Sequence, residues 1–149
     1  MAAAQLEDLL PYLMNRLVAQ LNQNLSENLR AQGFTFQDWR ILAVLAMRKR
    51  TNLTELTQAT VIPQPSVSRL VANLERRGLL KRSSAKRDSR VVEVVITPKG
   101  RTAYRKMLPL AEQEYEAAMT GFSRAQTKEL RKAVLLMLKN RGVALARDR

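Results

Sequence analysis

Residues 64–78, QPSVSRLVANLERRG, constrain the fold of this chain more than any other segment. Val67, Leu70, Val71 and Leu74 stand at i, i+3, i+4 and i+7, which draws one apolar stripe along a helix. At about 100° per residue, Pro65, Arg69, Ala72 and Arg76 fall on the opposite face, with Ser66, Ser68 and Asn73 beside them. Gly78 ends the helix, and the pattern changes at once. Residues 79–83 and 91–97 are short, apolar or β-branched runs that flank a polar stretch, 84–90. They predict a two-stranded hairpin whose exposed tip carries Lys86, Arg87 and Arg90.

The rest of the chain reads as helix. Leu13, Leu17, Leu21, Leu25 and Leu29 recur at helical spacing from Pro11 to a stop at Gly33. Because Pro11 suits a first turn, residues 1–10 are expected as a separate arm or a kinked opening turn. Thr35 is expected to cap a second helix, with Asp38 in its first turn and Trp39, Leu42, Ala43, Leu45 and Ala46 as its apolar face. Thr54 is expected to cap a third, 55–60, which stops before Pro63. Downstream, Thr97-Pro98 restarts a helix toward Met119, with Pro109 as a kink. Ser123 and Gln126 form a capping box for a last helix, 124–140. Helix, short helix, helix and basic hairpin, in that order, spell a winged helix-turn-helix. The predicted fold is mainly α with a small β-wing: a winged helix-turn-helix lobe over 35–97, and terminal dimerisation helices over 1–34 and 98–149, intertwined as one domain.

Charge marks the same region. The 149 residues hold 26 Lys+Arg against 13 Asp+Glu, a net charge of +13. Residues 1–47 hold three basic and four acidic side chains, 48–106 fifteen and four, and 107–149 eight and five. The excess is thus a +11 segment around the predicted third and fourth helices and the hairpin. With 46% apolar residues the chain has ample material for a core, so its charge points to an anionic partner and not to disorder.

The chain has no Cys and no His, which excludes thiolate chemistry, disulfides, zinc fingers and a His general base. There is also no phosphate-cradling Gly-rich loop, and Glu112, Glu114 and Glu116 are spaced round a helix as a solvated face. No enzymatic role, metal or cofactor is expected. The longest apolar runs, 41–47 and 133–138, fall well short of the roughly 20 residues that span a bilayer. The opening MAAAQLEDLLPYL lacks a basic region and bears Glu7 and Asp8, so no signal peptide is expected. A cytoplasmic location is the expectation.

Short hydroxyls, an amide and guanidiniums on one helical face are the groups that reach base edges and phosphates in a major groove. The nucleic-acid reading therefore assigns DNA contacts to Pro65, Ser66, Ser68, Arg69, Asn73 and Arg76 on the helix, and to Lys86, Arg87 and Arg90 on the wing. An arginine on a thin wing suits the narrow minor groove, where the negative potential is enhanced. A basic architectural protein binding DNA or RNA without sequence preference is the alternative. It would carry the charge without needing the Ser/Arg/Asn face. Equal affinity for cognate and scrambled duplex would identify it.

Residues 53–100 also resemble the MarR (multiple antibiotic resistance regulator) family. The resemblance rests on LTELTQAT, PSVSRLVANLERRGLLKR and RDSRVVEVVITPKG, with the wing pattern Asp-x-Arg met by Asp88-Ser89-Arg90 and Thr-x-x-Gly met by Thr97 to Gly100. FTFQDWRILAVL is similar to the family's second helix. The resemblance implies a transcriptional repressor, homodimeric on a pseudo-palindromic operator in double-stranded DNA. Ser66, Ser68, Arg69 and Asn73 would face bases or phosphates, Arg90 would enter the minor groove, and Asp88 would orient a nearby arginine. It also implies a small phenolic or carboxylate effector bound where the lobe meets the dimer helices. Tyr12, Arg16, Phe36, Trp39, Arg40 and Tyr104 are the candidate lining. Arg16, the only basic residue in the first 29 positions, would clamp a carboxylate, project into solvent or pair with Asp38. For Phe36 and Trp39 the reading that competes with ligand stacking, and is preferred to it, is a place in the core.

Overall fold

A computed structural model of the chain describes residues 5–48, 50–84 and 91–143. A single 3-10 turn, Leu6–Asp8, leads into α1 (Leu10–Ala31), which has Pro11 in its first turn. Then come α2 (Phe36–Met47), β1 (Thr51–Asn52), α3 (Leu53–Thr60) and α4 (Gln64–Arg76). β2 (Leu80–Ser84) and β3 (Val92–Ile96) form the wing, and α5 (Pro98–Ala118) and α6 (Arg124–Asn140) complete the order.

Local chemistry accounts for most of these boundaries. Thr35 Oγ1 accepts the Asp38 N–H at 3.0 Å while Asp38 Oδ2 accepts the Thr35 N–H at 3.0 Å, a reciprocal box that starts α2. Ser123 and Gln126 do the same for α6. Thr97 Oγ1 accepts the Gly100 N–H at 3.0 Å and opens α5, which continues as one helix through Pro109. The cap of α3 differs from expectation. Asn52 takes the place assigned to Thr54, its Oδ1 accepting the Glu55 N–H at 2.9 Å, so the helix begins two residues earlier.

The wing is also more than a hairpin. β2 and β3 pair antiparallel from Leu80↔Ile96 to Ser84↔Val92, and β1 adds a third strand through Thr51↔Val94 and Asn52↔Glu93. The sheet order is β1-β3-β2. β3 is thereby flanked by the strand that runs into α3 and the strand that leaves α4.

One core joins these parts. Ile41, Leu42 and Leu45 of α2, Leu56 of α3, and Val67, Val71 and Leu74 of α4 are fully buried against Leu80 and Val94 of the sheet. Leu25 and Leu29 of α1 and Ala103 and Met107 of α5 close the same cluster. The stripe read along α4 is thus the face that seats it, with Leu70 half-buried at its margin. α6 has no buried residue, although it is amphipathic over 17 residues. Among the described residues no helix is long and apolar enough to cross a membrane.

Candidate nucleic-acid interface

Seating α4 by its apolar stripe turns the polar face outward. Pro65, Ser68, Arg69, Asn73 and Arg76 are exposed and Ser66 is half-buried, so the structure places all six helix candidates on accessible surface. Ala72 lies among them. An open groove of about 780 Å³ runs along this face, walled on one side by Arg69, Ala72, Asn73 and Arg76 and on the other by Gly33, Thr35 and Asp38 at the start of α2. Two guanidiniums and an amide on a convex helical edge can bond phosphate oxygens and base edges. Lys86, Arg87, Asp88 and Arg90 lie outside the described residues.

The root of the wing is fixed to the same helix. Glu75 of α4 accepts the Arg82 N–H at 2.9 Å and its guanidinium at 2.7 Å. The backbone N–H, then the guanidinium, hold the Glu75 carboxyl below its ordinary range. On the far side, Arg50 pairs with Glu93 of β3 at 3.3 Å. The wing therefore departs from α4 at a set angle.

The end of α4 is held more firmly still. Arg77 Nη1 donates to Asp38 Oδ2 at 2.9 Å, and Nη2 donates to the Gly33 carbonyl at 3.1 Å. Its guanidinium also lies 5.0 Å from the Phe34 ring centroid. Asp38 is only 3% exposed. A charge-assisted bond of this kind contributes about 1.5–3 kcal/mol, at the lower end here because Arg77 remains partly exposed. From the other side, Lys99 Nζ donates to the Arg77 carbonyl at 2.8 Å and Thr97 Oγ1 to the Gly78 carbonyl at 2.6 Å. Gly100 permits this approach, since a Cβ there would stand 1.9 Å from the Leu79 carbonyl oxygen. Sequence reasoning missed Arg77, Glu75, Arg82 and Lys99. The signal for Arg77 was half present, in the Thr35/Asp38 box, but its partner lies 39 positions away.

The six effector candidates fall into three pairs. Arg16 donates to the Tyr12 hydroxyl at 3.4 Å on α1, and the Arg40 guanidinium lies 5.6 Å from the Phe36 ring centroid on α2. Trp39 stacks on Tyr104 of α5, with centroids 5.4 Å apart and planes 7° from parallel. Phe36, Trp39 and Tyr104 also pack against the core. Asp38 is taken by Arg77, so the pairing of Arg16 with Asp38 does not occur. Burial pulls Arg40 below its ordinary value, and it has no carboxylate partner among the described residues. Glu114 departs from the solvated-face reading: it accepts the Asn24 and Asn28 amides of α1 at 3.1 and 3.3 Å.

Comparison with known proteins converges on this geometry. The MarR family model matches residues 32–91, from the loop before α2 to the residue before β3. The HTH-type transcriptional repressor IacR of Pseudomonas putida is 21% identical over 134 residues, 90% of this chain and 80% of that protein. A MarR family transcriptional regulator from Silicibacter pomeroyi superposes with a TM-score of 0.86 at 28% identity, covering 94% of each chain. BpsR of Bordetella bronchiseptica, whose DNA binding is regulated by 6-hydroxynicotinic acid, shares the fold with a TM-score of 0.77 at 24% identity over 97% of this chain and 100% of that one. The exposed polar face on a seated α4, the wing fixed to its end and these likenesses lead to one conclusion: the chain is a DNA-binding regulator similar to the MarR family over residues 32–91.

Proposed function

We propose that this regulator is a cytoplasmic repressor that binds a pseudo-palindromic operator as a homodimer and is released by a small phenolic or carboxylate-bearing effector. One observation carries the dimer: apolar side chains left exposed at both ends of the chain. Leu9, Leu10 and Leu13 are 45–53% exposed, and Leu130, Leu136 and Val143 are 45–58% exposed. Large apolar side chains left exposed in this number favour an association face. A two-fold dimer would present two copies of α4 to successive turns of a duplex.

In the effector reading, Arg40 supplies the charge and the Trp39–Tyr104 stack supplies an aromatic wall. The regulation of BpsR by a hydroxylated aromatic acid supports this class of ligand. With no Cys and no His in the chain, a thiol switch has no residue to use and zinc sensing would rest on carboxylates alone. Release would require the effector to favour one spacing of the two α4 helices over another.

Selection of bound duplexes from a random pool tests the reading. The expected product is a palindrome with half-sites about one helical turn apart. Recovery of unrelated sequences with equal affinity would reject it.

A further inference from the structure

We infer that Arg77 is the positioning residue through which the ends of the chain orient the reading helix. The inference rests on the operator-binding reading above and adds a site at which affinity is set without contact to DNA.

Arg77 is the C-terminal cap of α4, one residue beyond the helix that carries Ser66 to Arg76. Its side chain and its backbone are held by different elements. The guanidinium fork spans Asp38 at 2.9 Å and the Gly33 carbonyl at 3.1 Å, both at the junction where α1 hands over to α2. The carbonyl accepts Lys99 Nζ at 2.8 Å from the first turn of α5. α1 and α5 pack against each other through Leu25, Leu29, Ala103 and Met107 and through the Glu114 amide contacts. A shift of either helix is therefore delivered to the same residue, and through it to the end of α4.

The chemistry of the fork makes this hold directional. A planar guanidinium satisfies two acceptors at a fixed angle, whereas an ammonium acts as a point charge on a flexible stem. Asp38 is committed on both sides, accepting the Thr35 N–H and Arg77 through the same Oδ2. It cannot follow Arg77 elsewhere without opening the first turn of α2. Arg77 also lines the groove beside the reading face, so a direct phosphate contact is the rival explanation for any loss of binding.

Two variants separate the roles in the full-length chain. Arg77→Lys keeps the positive charge but not the fork. Asp38→Asn keeps an acceptor for the Thr35 N–H while removing the charge that fixes Arg77. Binding to the selected operator and to a scrambled duplex is measured across a salt series, with circular dichroism confirming the fold. Positioning predicts that both variants lose tenfold or more on the operator, with scrambled-duplex affinity and salt slope unchanged. A phosphate contact predicts near-normal binding for Arg77→Lys and equal or tighter binding for Asp38→Asn, since a negative charge beside the groove is lost. That pattern, or a changed salt slope, overturns the inference. Should Asp38→Asn fail to fold, Arg77→Lys alone decides, by the loss or retention of operator preference. Variants equal to wild type on a duplex that wild type prefers overturn only the role of Arg77. A wild-type chain without preference overturns the operator reading itself.

Discussion

Val61 closes α3 with φ 54° and ψ 32°, and its side chain is 80% exposed. A left-handed backbone costs an L-residue about 1–2 kcal/mol, and an exposed valine recovers little of that from packing. Val61→Gly is expected to raise stability by roughly 0.5–1 kcal/mol after the added chain entropy of glycine is subtracted. Urea unfolding checks the value. The turn conformation was not legible in ATVIP, because valine is the wrong residue to announce it. Asp38 shows the same limit from another side. Its capping role is visible three positions from Thr35, whereas its ion pair with Arg77 depends on how α2 crosses α4. Glu114 was misread for that reason: nothing local to α5 indicates that Asn24 and Asn28 face it.

At the level of elements, the signals that read correctly are the ones written within a few residues. The boxes at Thr35 and Ser123, the stripe on α4 and the Thr97-Pro98 start all involve neighbours. β1 escaped notice because two residues carry no periodicity, and its partners in β3 are about 40 positions away. The Glu75–Arg82 attachment of wing to helix is an element-scale contact with a pH signature. Since the folded carboxyl titrates below its ordinary range, its contribution is complete above that range and fades as the pH falls through the lowered value. Glu75→Gln is expected to cost less than about 1 kcal/mol at neutral pH, because both side chains are partly exposed. The gap to wild type should narrow as the pH falls below the ordinary carboxylate range and through the lowered value. Hydrogen exchange at the Arg82 amide, faster in the variant, gives an independent reading.

For the whole molecule, the exposed stripe on α6 makes the sharpest demand. Leu136 is 58% exposed and belongs to no core, so Leu136→Glu should leave the unfolding midpoint of the single chain unchanged. In the dimer reading it should lower the mass seen by light scattering and weaken operator binding at least tenfold. An unchanged mass would remove α6 from the interface. The overall architecture was legible because charge, stripe and hairpin all fell between residues 48 and 106, where they reinforced one another. The coupling of that lobe to the ends was not, since the contacts of Arg77 with Gly33 and Asp38 and of Lys99 with Arg77 join residues far apart in the chain.

The division of α4 into a seated face, a clamped end and an outward face has a consequence for how such regulators diversify. Ser68, Arg69, Asn73 and Arg76 take no part in the core, and the hold on the helix is made by Glu75 and Arg77. In the operator reading proposed above, exchanging those four side chains would change which sequence is addressed while leaving the mechanical linkage of the molecule intact. On that reading, such a chain would rewrite its targets without rebuilding its response.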